Sequence, residues 1–307
     1  MLTRLSLAAC LALSVTLPAA AQERVSIGTG GTGGVFYAIG AGMADLLSRE
    51  LEGVTANAEV TGASVENIRR VSNGEMTMGF SSASTLYEAK NGQGVFEGDA
   101  QNVAAIAYLY PAVLQIAVAA DSGAESVADL ADLDISIGPP GSNSAVFAER
   151  LLDAHDAFNM GNISFLSYTE ATSAIKNGQL EGTIILAGTP AAAFIELFTT
   201  EDAKLIPVEP GNVEGLLEEY PFYELVEIPA GTYEGEDEAV TAVGDPAILF
   251  TSADADEETI RNITAALFDN LDALGQVHPA ARKITAEKAG NAPIDLHPGA
   301  QAYFDGQ

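Results

Sequence analysis

The sequence predicts an α/β protein built as two lobes joined by at least two crossings. Three observations predict it. Short apolar runs alternate with helix-period patterns along the chain, as in βαβ units. The chain has 307 residues with 48% hydrophobic content, a length at which one core usually divides in two. Apolar runs also flank Tyr110-Pro111, the point at which the chain crosses from the first lobe to the second.

Residues 1–21 read as a secretory signal peptide. Arg4 supplies the charged start, Leu5 to Leu17 the apolar run, and Ala19-Ala20-Ala21 the small residues before a cleavage point after Ala21. The run is too short and wrongly flanked for a transmembrane helix, and no later stretch reaches the roughly 18 apolar residues that spanning requires. A soluble periplasmic protein is expected. The single cysteine, Cys10, lies in the leader, so the mature chain has no thiol for disulfides, metal binding or covalent catalysis. Leu7-Ala8-Ala9-Cys10 has the look of a lipidation box, but the apolar run continues past it, which favours cleavage after Ala21.

Arg24 to Gly28 reads as a strand, Val35 to Glu50 as a helix, Val54 to Thr61 as a strand and Ser64 to Asn73 as a helix. Met76 to Ser81 continues as strand, Ser84 to Lys90 as helix and Val103 to Tyr108 as strand. Past the crossing, Leu114 to Ala119 opens the second lobe. A helix over Ser126 to Ala131, a strand over Asp134 to Gly138 and a helix over Ser142 to His155 follow. Ile163 to Leu166, Thr169 to Asn177, Gly182 to Ala187, Ala191 to Phe198 and Leu205 to Val208 repeat the alternation. Gly231 to Glu238 is a solvated acidic loop. Ala239 to Phe250 carries the chain back, and Glu257 to Leu274 is an amphipathic helix that packs on the first lobe. The expected division is 22–110 plus 245–307 for lobe one and 111–244 for lobe two. A hinge between lobes suits closure around a ligand.

Gly28-Thr29-Gly30-Gly31-Thr32-Gly33-Gly34 lies between a strand and a helix. Glycines there let the backbone turn and bring N–H groups to the helix start, where the dipole favours an anion. Gly28, Gly30 and Gly33 also satisfy G-x-G-x-x-G, a match that any tract this rich in glycine gives by accident; a plain tight turn is the third reading. Turns of the same type follow at Gly62-Ala63-Ser64-Val65-Glu66-Asn67, Gly138-Pro139-Pro140-Gly141-Ser142-Asn143-Ser144 and Ala187-Gly188-Thr189-Pro190. Ser142 or Ser144 either caps its helix or donates into a cleft. Ligands of open α/β sheets bind beyond the carboxyl ends of the strands, where these turns stand.

With those turns in place, the chain resembles the TAXI family of TRAP-transporter solute receptors over nearly all of its mature length. Ile27-GTGGTGGVFYAIG-Ala41, Thr61-GASVENIR-Arg70, Ile137-GPPGSNS-Ala145, Ala187-GTP-Ala191, Tyr220-PFYELVEIPAGTY-Glu234 and Ile294-DLHPGA-Gln301 carry the resemblance. It implies a two-lobed periplasmic-binding-protein-like fold of type II, with parallel-rich sheets and helices on both faces. It further implies a receptor that closes on a small carboxylate, glutamate and related dicarboxylates among them, and delivers it to the membrane subunits of a TRAP permease; the chain is expected to act as a monomer. Carried over by position, the ligand contacts are Gly31, Thr32, Tyr37, Ser64, Asn67, Ser142, Asn143 and Ser144, with Tyr110 and Gly188 beside them; Ser82 and Ser84, after the third strand, are further expected contacts. Tyr37 covers the aliphatic part of the ligand.

Two departures stand out. Ser82 and Ser84 occupy positions where many members have Gln and Asp, and Asn143 stands where Gly is usual. Without an Asp to pair with an amine, the expectation moves from an amino acid towards a dicarboxylate or keto acid.

Charge and motif content exclude other classes. Thirteen basic against 43 acidic residues give a formal charge of −30, a field that repels nucleic acid and anionic membranes. His155, His278 and His297 are scattered and no G-x-S-x-G elbow is present, so no catalytic site, metal or cofactor is expected. A secreted hydrolase is the rival of another class. A ligand-sensing subunit of a signalling system would use the same cleft.

Overall fold

A computed structural model describes residues 23–306; the expected leader, with Cys10 and the cleavage point at Ala21, lies outside the described residues. The first lobe opens with β1 (Glu23–Gly28), α1 (Val35–Glu50), β2 (Val54–Glu59), α2 (Ser64–Ser72), β3 (Met78–Ser82), α3 (Ala83–Asn91) and β4 (Val103–Tyr110). The second contains β5 (Val113–Ala119), β6 (Ile135–Ser136), α4 (Asn143–Ala154), β7 (Ile163–Ser164), α5 (Tyr168–Lys176) and β8 (Gly182–Ala187). It continues through α6 (Ala192–Thr200), β9 (Ala203–Leu205), α7 (Glu214–Glu219), β10 (Glu224–Ile228) and β11 (Val240–Gly244). The chain then returns with β12 (Ala247–Ser252), α8 (Glu257–Phe268), α9 (Leu271–Val277) and α10 (Pro298–Phe304).

Two sheets result. One has the order β2-β1-β3-β12-β4, the other β10-β11-β5-β8-β6-β7 with β9 also on β5. Both are mixed. β1 pairs in parallel with β2 and β3, and β6 with β7 and β8, whereas β12 and β5 run antiparallel to every neighbour. The cause is connectivity: β5 and β12 are the strands that follow the crossings, and each enters its sheet against the local direction. The crossings lie side by side, with the Asp245 N–H donating to the Ala112 carbonyl at 2.8 Å.

Periodicity builds the core. α1 buries Val35, Ile39, Met43, Leu46 and Leu47, the i, i+4, i+7 spacing of one helix face, and packs on β2, α8 and α9. Full burial of each such side chain stabilises by about 1.5–3 kcal/mol. β4 and β8 are buried at every position, as strands covered on both faces should be.

Several elements differ from the sequence reading. The expected helix over Glu257 to Leu274 is two helices, because the Asn270 carboxamide donates to the Ala266 carbonyl at 2.9 Å and takes a backbone partner's place. The run Ala239 to Phe250 is divided between sheets at Asp245-Pro246, where proline has no N–H for a ladder. Ser126 to Ala131 forms a 3-10 helix over Val127–Asp132, closed at its start by a Ser126–Asp129 capping box. β10, α7 and α10 were not anticipated.

Candidate functional site

The lobes face each other across a cleft lined from both sides. From the first lobe, Gly30, Gly31, Gly34, Val35 and Phe36 of the glycine turn and α1 line it, with Thr61 to Ser64 before and at the start of α2, and Ser82 ending β3. From the second come Pro139, Ser142, Asn143 and Ser144 at the start of α4, Tyr168 opening α5, and Leu186 and Ala187 ending β8. Every segment lies beyond a strand's carboxyl end or at a helix start, the position that this class of sheet gives its ligands.

Donors converge there. The N–H groups of Gly30 and Gly31 donate to no described residue, and those of Ser64, Asn143 and Ser144 belong to the unpaired first turns of α2 and α4. Ser64 Oγ accepts from the Ser82 N–H at 3.1 Å and lies 3.5 Å from Ser82 Oγ, so this pair of hydroxyls retains a proton for a ligand. Among the described residues, no Lys, Arg, His, Asp or Glu lines the cleft. An anion here is met by neutral dipoles, which stabilise negative charge as helix starts do elsewhere. Phe36 and Tyr168 supply aromatic walls. The Tyr168 hydroxyl donates to the Leu186 carbonyl at 2.9 Å and accepts from the Leu186 N–H at 3.2 Å, and burial holds its pKa above the ordinary phenol value.

Of the residues anticipated, the cleft gathers Gly31, Ser64, Ser82, Ser142, Asn143 and Ser144. Ser142 is spent as a cap: its hydroxyl donates to the Pro139 carbonyl at 2.7 Å and accepts from the Ala145 N–H at 3.3 Å. Ser144 Oγ accepts from the Leu186 N–H at 3.2 Å. Thr32 and Tyr37 do not line the cleft; one position earlier on α1, about 100° round the helix, Phe36 does.

Asn67 lies under the floor with all its groups used. Its amide donates to the Thr29 and Phe80 carbonyls at 2.7 and 2.9 Å and accepts from Thr61 Oγ1 at 2.7 Å. A Cβ on Gly28 would fall 2.5 Å from Asn67 Oδ1, so close packing accounts for that glycine of the G-x-G-x-x-G match. Tyr110 is fully buried with its hydroxyl unpartnered among the described residues. It stands behind the cleft against Gly188, where a Cβ would meet its ring at 3.0 Å and Val35 at 3.2 Å.

Ser84 is also outside the cleft. Its hydroxyl donates to Asp245 Oδ2 at 2.5 Å and its N–H to Oδ1 at 3.1 Å, while Asn143 Nδ2 donates to the same Oδ2 at 2.8 Å. Asp245 is fully buried. Burial pushes its pKa up to about 6, against the lowering effect of these hydrogen bonds and of Arg150. Sequence reasoning missed Asp245, Phe36 and Tyr168. Only Tyr168 had a local signal, the capping box of Ser167 and Glu170 around it.

The lobes also touch at the rims. The Ala193 N–H donates to the Gly33 carbonyl at 3.3 Å, and Phe222 of the second lobe packs on Tyr87 of the first with ring centroids 4.9 Å apart.

Residues 27–307 match the NMT1-like family. Solved structures share the fold at low identity. The periplasmic aliphatic sulphonate binding protein SsuA from Escherichia coli is 14% identical, over 92% of this chain and 83% of that one, with a TM-score of 0.51. A putative L-cystine ABC transporter protein from Listeria monocytogenes is 12% identical over 87% and 98%, with a TM-score of 0.51. A histidine kinase sensor domain with similarity to periplasmic binding proteins is 12% identical over 85% and 95%, with a TM-score of 0.50.

Proposed function

Because the chain belongs to the NMT1-like family and has the two-lobed fold of periplasmic solute-binding proteins, we propose that it is an exported, non-enzymatic receptor that captures a small carboxylate between its lobes. It hands the ligand to the membrane subunits of a TRAP-type permease and acts as a monomer in the periplasm, with lobe one formed by 22–110 and 245–307 and lobe two by 111–244. The observation that carries this reading is the lining of the cleft: helix-start N–H groups from both lobes and the Ser64 and Ser82 hydroxyls of the first, with no charged side chain among the described residues that line it. Such a lining supports an anion by dipoles alone and offers no nucleophile with an adjacent base.

The sequence resemblance to TAXI receptors supports the permease assignment, and growth on the ligand after deletion of neighbouring permease genes tests it. The likeness to a kinase sensor domain favours a second reading, in which the bound form signals to a membrane partner; transport then persists without the protein.

The test of the ligand class is a thermal-shift screen against amino acids, dicarboxylates, keto and hydroxy acids, sugars and nucleotides. A ligand at about 100 times its Kd stabilises by about 2.7 kcal/mol. A selective upward shift with carboxylates is expected, and a response confined to sugars or nucleotides overturns the reading.

A further inference from the structure

Asn143 is the side chain of the cleft whose hydrogen-bonding sense is fixed from behind. It lines the cleft from the start of α4 and donates through Nδ2 to Asp245 Oδ2 at 2.8 Å. That oxygen also receives the Ser84 hydroxyl, and Oδ1 of the same carboxylate receives the Ser84 N–H. An ionised carboxylate is an acceptor only. Turning the amide over would set oxygen against oxygen, so the charge on Asp245 assigns the amide's two ends.

The consequence lies on the other end. Asn143 Oδ1 accepts from no described residue, and although Asn143 is only 3% exposed, Oδ1 is not among the sealed, unpartnered polar atoms. It therefore opens into the cleft as an acceptor, beside the free N–H groups of the glycine turn and of the two helix starts. A bound carboxylate satisfies those donors but gives Asn143 nothing, and a carbonyl oxygen placed against it repels. The group that matches is a hydrogen-bond donor carried by the ligand.

Charge decides which donor. An ammonium needs a compensating negative charge, and no carboxylate among the described residues lines the cleft; Asp245 is fully buried behind Asn143 and already accepts three hydrogen bonds. A neutral hydroxyl needs one acceptor and no counter-charge.

We infer that the cleft selects hydroxy acids, with Asn143 as the residue that reads the ligand hydroxyl and Asp245 as the positioning residue that holds the Asn143 amide in that sense. This inference rests on the carboxylate-receptor reading and narrows it, replacing the keto acid or plain dicarboxylate that the sequence suggests.

Calorimetry with two matched series tests it: lactate, pyruvate and propionate, and 2-hydroxyglutarate, 2-oxoglutarate, glutarate and glutamate, with both enantiomers of each hydroxy acid. In at least one series a hydroxy acid is expected to bind roughly ten- to a hundredfold tighter than its keto, deoxy and amino counterparts, the range for leaving a buried acceptor unpaired. Asn143→Leu, similar in size and without the acceptor, brings the series to near parity while carboxylate binding persists. Asp245→Asn does the same through the amide's orientation. In the unaltered protein the preference shrinks between pH 7.5 and pH 5, and in Asp245→Asn it is flat. The ionisable groups facing Asp245 are Arg150 from α4 and Tyr223 from the segment before β10, with Glu88 of α3 beyond Arg150. Keto or deoxy acids that bind as tightly as the hydroxy acids overturn the inference and leave the carboxylate reading standing. Failure of every acid in both series removes both.

Discussion

Arg150 on α4 of the second lobe and Glu88 on α3 of the first form an ion pair at 2.5 Å, with side chains only 18% and 9% exposed. Arg150 also donates to the Tyr223 hydroxyl at 2.8 Å and stacks over the Tyr220 ring at 4.1 Å. Tyr223 in turn stacks on Phe147 of α4 with centroids 3.9 Å apart. The pair ties the lobes on the side where Phe222 meets Tyr87 and complements the Gly33–Ala193 contact at the glycine turn. Removing Arg150 alone strands a carboxylate in a largely dry position, which typically costs about 3–5 kcal/mol. Arg150→Ala is expected to lower the unfolding midpoint and, in ligand-free protein, to raise the radius of gyration measured by X-ray scattering as the lobes part. An unchanged radius would show that the pair does not hold the lobes together.

Asp245 sets a pH dependence of stability. Its folded pKa of about 6 lies above the ordinary 3.8, so between those values the folded chain holds a proton that the unfolded chain has released. The stability this contributes is fully present below about pH 4 and is lost as pH rises through 6. A shift of about two units corresponds to about 3 kcal/mol. The difference in unfolding free energy between the natural protein and Asp245→Asn should therefore fall by about that amount from pH 4 to pH 7, against a background of other carboxylates common to both. A difference that is flat with pH would mean that Asp245 is not held in a dry site.

Ser84→Asp tests whether that position touches the ligand. On the sequence, an acid at 84 would offer a partner to a ligand amine; in the structure it would set a second carboxylate against Asp245, and two such groups cannot both be ionised at hydrogen-bond distance. The variant is expected to lose stability at neutral pH, to recover part of it towards pH 5, and to gain no affinity for glutamate. Tighter glutamate binding by calorimetry would return Ser84 to the cleft.

These residues also mark where sequence reading stops. Strand and helix alternation is a local property, and elements such as α1 and β8 end where their patterns end. Val240 to Ser252 defeats the same logic, because two strands of different sheets make one apolar run with only Asp245-Pro246 between them. The turns of the cleft were visible as glycine and serine after strands. Whether Phe36 or Tyr37 faces inward depends on the rotation of α1, and whether Ser142 is free depends on its cap. Asp245 was out of reach: its partners Ser84 and Asn143 lie 161 and 102 positions away in sequence. Both stand out in the sequence as departures from a family pattern and as candidate ligand contacts, and the structure places them on the same carboxylate.

Gly33 is the point where added bulk keeps the lobes apart. A Cβ there would lie 2.8 Å from Thr169 Oγ1, 3.2 Å from Ala193 Cβ and 3.4 Å from Tyr168 Cβ, all on the second lobe. Gly31, two residues earlier on the same turn, has nothing within 4 Å of a Cβ. Gly33→Ala therefore biases the protein towards an open state at little cost to either lobe. If closure is populated tenfold less, the apparent Kd rises about tenfold, with the loss mainly in dissociation rate and the unfolding midpoint of the ligand-free protein nearly unchanged. Gly31→Ala serves as the comparison for closure. Equal effects of the two variants on scattering-derived compactness would mean that the Gly33 contact does not limit it.

The charge of −30 opposes capture of an anion before any contact is made. Among the described residues no basic side chain lines the cleft to reverse that field for an approaching carboxylate. Screening shortens its reach from about 30 Å at 0.01 M salt to about 8 Å at 0.15 M. Stopped-flow association rates for a carboxylate should therefore rise over that interval, the opposite of the fall seen when opposite charges steer an encounter. The dissociation rate, set by short hydrogen bonds inside the closed cleft, should change much less. Association that slows with salt would require a positive potential at the cleft mouth strong enough to outweigh the acidic surface around it.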